Sequence, residues 1–145
     1  MKKKWILILG SFAIIGIIAA LLVYIFVYNK QQPDYSKAKP DFTINGAQIF
    51  NEFRNNPDAS AEKYNGKVLA IEGNLNSVER TDSLTIAVFA IEEGMFGDEG
   101  IRFAFIPEFA AKIASIPPES LVTIKGYCTG FNETDIIMEH CSLVE

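Results

Sequence analysis

From Trp5 to Tyr28 the chain reads WILILGSFAIIGIIAALLVYIFVY, 24 residues without a charged side chain. About 20 apolar residues carry a helix across bilayer hydrocarbon, and tilt absorbs a modest excess. Only a helix satisfies its own backbone groups there. Residues 29–40, NKQQPDYSKAKP, are polar, contain two prolines and read as a short tether. From Asp41 the pattern is helical: Ile44, Ala47, Phe50 and Phe53 recur on one face, with Ile49 beside them. Thr43 or Asn45 caps that helix, and Asn55-Asn56-Pro57 breaks it. Asp58 is then expected to cap a second short helix through Tyr64, ended by Asn65-Gly66. The aromatic face of this lead-in is expected to cover one end of the strand-rich remainder of the chain.

Beyond Lys67 the period falls to two and β-branched and aromatic residues take over. The pattern predicts strands over Lys67–Val78, Ser83–Ile91, Ile101–Ile106, Ser120–Thr129 and Ile136–Val144. The first is interrupted by Gly73, as at a barrel corner. Glu92 to Gly100, EEGMFGDEG, reads as an acidic, glycine-rich connection. Pro107 opens a short helix that Pro117-Pro118 stops. Three strands, a helix and two more strands make the element order of the OB-fold, a five-stranded Greek-key barrel. A small open α+β sheet is the alternative. The fold class is therefore mainly β with short helices, a five-stranded OB barrel preceded by an N-terminal transmembrane helix. Residues 1–28 are a cytoplasmic tip and anchor, 29–40 the tether, and 41–145 the OB domain with its helical lead-in.

Charge sets the orientation. Lys2, Lys3 and Lys4 precede the apolar run, and such clusters stay in the cytoplasm. Trp5, Tyr24 and Tyr28 fit the interfacial aromatic belts. The chain is thus expected as a single-pass protein of the bacterial cytoplasmic membrane, N-terminus inside and domain outside (periplasmic). The competing reading, a cleaved signal peptide, needs a shorter run and small residues where this chain has VYIFVYN. From Asp41 onward 7 basic residues face 17 acidic ones, a net charge of −10. Nucleic-acid binders cluster Lys and Arg, so nucleic acid is not the expected ligand.

The stretches A-E-K-Y-N-G-K-V-L-A-I-E-G (Ala61 to Gly73), I-K-G-Y-C-T-G-F (Ile124 to Phe131) and D-I-I-M-E-H-C-S-L-V (Asp135 to Val144) resemble the tRNA_anti-like family of bacterial exported OB-fold proteins. The resemblance runs from about Asp41 to the end and implies the fold far more than an activity. Members often carry a lipoprotein cysteine after the signal, where this chain has a membrane helix. A cysteine frequent in the family's third strand is replaced here by Phe103-Ala104.

The chemistry on offer is sparse. Gly94, Gly97 and Gly100 do not match a phosphate-binding loop, and Glu92, Glu93, Asp98 and Glu99 lack EF-hand spacing. One histidine, His140, and two cysteines are too few soft ligands for a zinc site. No cofactor, metal or catalytic set is expected. Cys128 and Cys141 lie on two strands of one hairpin and are a candidate disulfide if they face each other, with two buried free thiols as the alternative. OB domains bind ligands across strands two and three. Phe89, Phe96 and Arg102 are the candidate ligand face there, while Ile101, Phe103 and Phe105 alternate toward the core. The expected function is a non-catalytic, membrane-anchored binding module whose partner is a protein or an envelope glycan. An oligonucleotide-binding domain and a thiol-redox or haem-handling protein using Cys128, Cys141 and His140 are the alternatives.

Overall fold

The computed structural model describes residues 1–28 and 34–144, which divide into two compact units, residues 1–32 and 33–145. The first is the apolar segment: helix α1, Lys2–Val23, continued by a π-helical stretch, Tyr24–Tyr28. Lys2–Val27 is long and apolar enough to cross a membrane, with mean hydropathy 2.9, and no residue of α1 is buried. The hydroxyl of Ser11 donates to the Ile8 carbonyl at 2.8 Å, so the one polar side chain between Trp5 and Tyr24 is satisfied within the helix. Residues 29–33 of the expected tether, and Glu145, lie outside the described residues.

The second unit has strands β1 (Phe42–Asn45), β2 (Val68–Asn74), β3 (Ser77–Arg80), β4 (Thr85–Gly94), β5 (Gly97–Phe105), β6 (Leu121–Phe131) and β7 (Asp135–Leu143). Helices are α2 (Gly46–Asn55), α3 (Pro57–Tyr64) and α4 (Pro107–Ala114). The sheet runs β1-β2-β6-β7-β5-β4-β3. Because β2 and β3 are successive pieces of one bent strand, the run from β2 to β3 in that order closes on itself as the expected OB barrel, with β1 added beside β2. The expected first strand changes partner between neighbouring residues. The Leu75 N–H donates to Ser120 O, next to β6, and the Asn76 N–H donates to Val88 O on β4. Strand β5 pairs with β7 in parallel and with β4 antiparallel.

Seven strands stand where five were expected, for two reasons. The bent strand counts twice, and Ile44, expected in the helix, belongs to β1, which pairs in parallel with Leu69–Glu72. The hydrogen-bond partner for Phe42–Asn45 exists only once β2 is in place, so tertiary pairing overrides local helical spacing. Helix α2 consequently starts at Gly46, and Asn45 caps it, its side chain accepting from the Ala47 N–H at 2.9 Å. Asn56, not Asp58, caps α3, because Pro57 occupies the first helical position, where its missing N–H costs nothing.

The tether is not all linker. Tyr35 stacks on Tyr127 at 5.4 Å, and the Lys125 ammonium donates to the carbonyls of Ser36 and Ala38. Asp41 then exchanges two bonds with the Val68 backbone, one through each residue's N–H. Residues 34–41 therefore lie along β6 and β2.

The core holds Leu69, Ile71, Phe89, Ile101, Phe103, Ile124, Ile136 and Met138 from the barrel. Ile49, Phe50 and Phe53 of α2 are fully buried, and Phe53 packs on Tyr64 and Phe131 with ring centres 5.8 and 5.5 Å apart. The aromatic lead-in thus packs into the barrel core, and Ile113 of α4 joins the same core.

Candidate binding face

The outward face of β4 and β5 carries Ile86, Val88, Arg102 and Ala104, paired as Ile86↔Ala104 and Val88↔Arg102. Glu79 of β3 stands opposite Ile86, and Ile137 of β7 stands beside Arg102. The inward alternation of Ile101, Phe103 and Phe105 holds: each is buried.

Of the three expected ligand-face residues, Phe96 and Arg102 line one cleft and Phe89 does not join them. Phe89 points into the core, 1% exposed, with its ring edge-on to Phe103 at 4.6 Å. It lies on β4 as expected, but on the inner phase of the alternation, so it is a packing residue. Phe96 is fully exposed at 100% and Met95 is 91% exposed. Glu92 to Gly100 is no loose loop: β4 and β5 continue through it as a hairpin with Glu92↔Glu99, Glu93↔Asp98 and Gly94↔Gly97 paired. Only Met95 and Phe96 form the turn, and Gly97 has φ +132, a conformation that side chains disfavour.

Arg102 is half-buried on the outer face. Its Nε donates to Asp135 Oδ2 at 3.2 Å and its Nη1 to Glu79 Oε1 at 3.4 Å. Burial works to lower its pKa, but Asp135 and then Glu79 outweigh it and hold the guanidinium above its ordinary value. Asp135 is 8% exposed and also accepts from the Gly100 N–H at 3.1 Å, tying the start of β7 to β5. Between the hairpin and the β6–β7 turn lies a cleft of about 160 Å³, lined by Phe96, Asp98, Arg102, Thr134 and Asp135 among others.

A larger cleft, about 500 Å³, lies away from this face between α2 and α3, lined by Gln48, Asn51, Glu52, Asn55, Asn56 and Lys63 among others. The Glu52 carboxylate accepts from Tyr64 Oη at 2.7 Å, Lys63 Nζ at 3.1 Å and Gln48 Nε2 at 3.3 Å. The Tyr64 bond, above all, holds its pKa below the ordinary value. The spacing of Gln48, Asn51, Glu52 and Asn55 on one helical face was the available signal for this cleft.

The cysteines form no bridge. Cys128 and Cys141 are free and fully buried. Register explains it: Cys128 faces Met138, while bulges shift the β6–β7 pairing so that Tyr127 faces Glu139 and Lys125 faces Ser142. The Cys141 sulfur packs over Gly126 instead. Burial pushes the Cys128 thiol up to about 11 and lifts that of Cys141 well above 9.0. His140 is half-buried with φ +52 in the same bulged segment, its ring 5.9 Å from that of Tyr35. Among the described residues no group of three His, Cys, Asp or Glu side chains is placed to hold a metal ion.

The tRNA_anti-like family matches residues 1–143. The chain belongs to the tRNA_anti-like family. The match begins at residue 1 and so takes in the apolar helix, whereas the strand and turn residues placed the resemblance only from Asp41. No curated protein matches the chain. Among solved structures it is similar to a Klebsiella pneumoniae subsp. pneumoniae MGH 78578 lipoprotein described as nucleic acid-binding. That match has a TM-score of 0.58 and 19% identity, over 79% of this chain and 100% of that one. It is also similar to a Leishmania major Friedlin protein described as an aspartyl-tRNA synthetase. There the TM-score is 0.46 and the identity 10%, over 78% of this chain but 23% of that one. The Klebsiella likeness carries the fold.

Proposed function

We propose that this tRNA_anti-like protein is a non-catalytic binding module whose N-terminal helix spans the cytoplasmic membrane, with the OB domain on the outer side and a protein as its ligand. The observation that carries the reading is Arg102. It is the one cation at the centre of the outer β4–β5 face, and Asp135 and Glu79 already hold it. A phosphate backbone needs cations free to replace its counterions. Around Arg102 the face offers the half-buried Ile86, Ala104 and Ile137, a short apolar strip edged by carboxylates, which suits a protein surface. The non-catalytic part of the reading is supported by the two thiols, which burial keeps protonated at neutral pH and so poor as nucleophiles.

An oligonucleotide ligand is the second reading, favoured by the description of the Klebsiella neighbour. One experiment separates the two. The full chain in detergent is titrated against labelled single-stranded DNA and RNA at low salt, and intact cells carrying it are chemically crosslinked. Envelope proteins in the crosslinked set with no oligonucleotide binding support the protein reading. A salt-sensitive oligonucleotide shift, or crosslinks to cytoplasmic proteins only, sinks it.

A further inference from the structure

The β4–β5 hairpin keeps two large apolar side chains, Met95 and Phe96, in solvent at its tip. Its base is braced, since Arg54 of α2 pairs with both Glu92 and Glu99, which stand opposite each other. On the other side of the ribbon Glu93 stands opposite Asp98, and neither has an ion-pair partner among the described residues. Like charges directly opposed across a ladder are destabilising. The hairpin therefore carries an uncompensated repulsion beside an exposed aromatic ring. Asp98 continues onto the outer face with Gly100, Arg102 and Ala104, and it lines the cleft below the tip with Phe96. The cleft's only cation, Arg102, is matched by two carboxylates, and both Asp135 oxygens are engaged. Glu99, also at the cleft, is held by Arg54, so the carboxylate without an ion-pair partner there is Asp98.

We propose that this tip and cleft dock a basic segment of a partner protein, with an arginine or lysine head group seated between the Phe96 ring and the Asp98 carboxylate. The proposal rests on the protein-binding reading above and specifies the partner's chemistry. A cation there gains the ring face and the carboxylate together. It also relieves the Glu93–Asp98 repulsion, which a phosphate would worsen. The net charge of −10 beyond Asp41 steers such a partner inward.

The test places a benzophenone photocrosslinking amino acid at position 96 of the full chain in intact cells. The expected result is an adduct to a protein at a Lys- or Arg-rich peptide. Its yield should fall about tenfold with Asp98→Lys, and stay within about twofold with Asp58→Lys, the same charge reversal on exposed α3. Asp98→Lys places opposite charges across the hairpin and so favours folding, and Asp98→Asn should give an intermediate yield. Equal loss in the Asp98→Lys and Asp58→Lys variants would reduce the effect to diffuse attraction and overturn the proposal. Adducts to acidic peptides, lipid or nucleic acid, or none at position 96, overturn it too. Protein adducts from a probe at Gln48 with none at 96 would defeat this site and leave the protein-binding reading standing, whereas no protein adduct from either position would defeat both.

Discussion

The Phe89 ring lies against Gly73 so closely that a Cβ there would come within 2.8 Å of its Cδ2. The glycine in the bent strand is therefore set by the close approach of a core ring, and the same approach removes Phe89 from the ligand face. Gly73→Ala should destabilise the domain by about 1–3 kcal/mol through overpacking. Urea unfolding followed by near-UV circular dichroism would measure it, and Gly73→Ala with Phe89→Leu should recover part of the loss.

Phe53 carries the packing of α2. It is fully buried against Tyr64 and Phe131. Phe53→Ala should cost about 3–5 kcal/mol in the same assay. A loss under about 1 kcal/mol would place that face in solvent.

Cys128 and Cys141 should resist alkylation in the native protein at pH 8, and both should react once it is unfolded. The fold holds both thiols protonated, Cys128 up to about 11 against an ordinary 9.0. Their contribution is therefore complete below about pH 9 and declines as pH rises from there through the native values. A stability profile that stays level from pH 9 to 11, or oxidised cysteines in unfolded protein, would contradict this.

Arg54 should matter to the hairpin more than to the global fold. Its side chain is 40% exposed, so Arg54→Ala should cost no more than about 1 kcal/mol overall. Amide exchange across Glu92–Glu99 should nevertheless accelerate as the two carboxylates repel. Glu99→Gln in the Arg54→Ala background should slow it again, and independence of the two changes would show that no brace exists.

An export-dependent reporter fused after Glu145 should be active. Activity only from a reporter that works in the cytoplasm would reverse the proposed orientation.

The apolar helix, the polar break after it, the bend in the first barrel strand and the inward set Ile101, Phe103 and Phe105 were all legible in the sequence. Each follows from composition or a short-range period, and local pattern carries that information. The extent of the β4–β5 hairpin was not legible, because Glu92–Gly100 is polar and glycine-rich, and its carboxylates meet Arg54 only when α2 is packed beside them. The phase of Phe89 escaped because both sides of that strand are apolar, Ile86 and Val88 on one and Ala87 and Phe89 on the other, so a period of two does not choose between them. The cysteines stay apart because the β6–β7 turn sets Phe131 opposite Ile136 and Cys128 opposite Met138, and the two bulges beyond it are too small to bring Cys141 to Cys128. Arg102 was named from its strand position alone. That its charge is already matched was decided only when the fold brought Glu79 and Asp135 to it, residues 23 and 33 positions away in the chain.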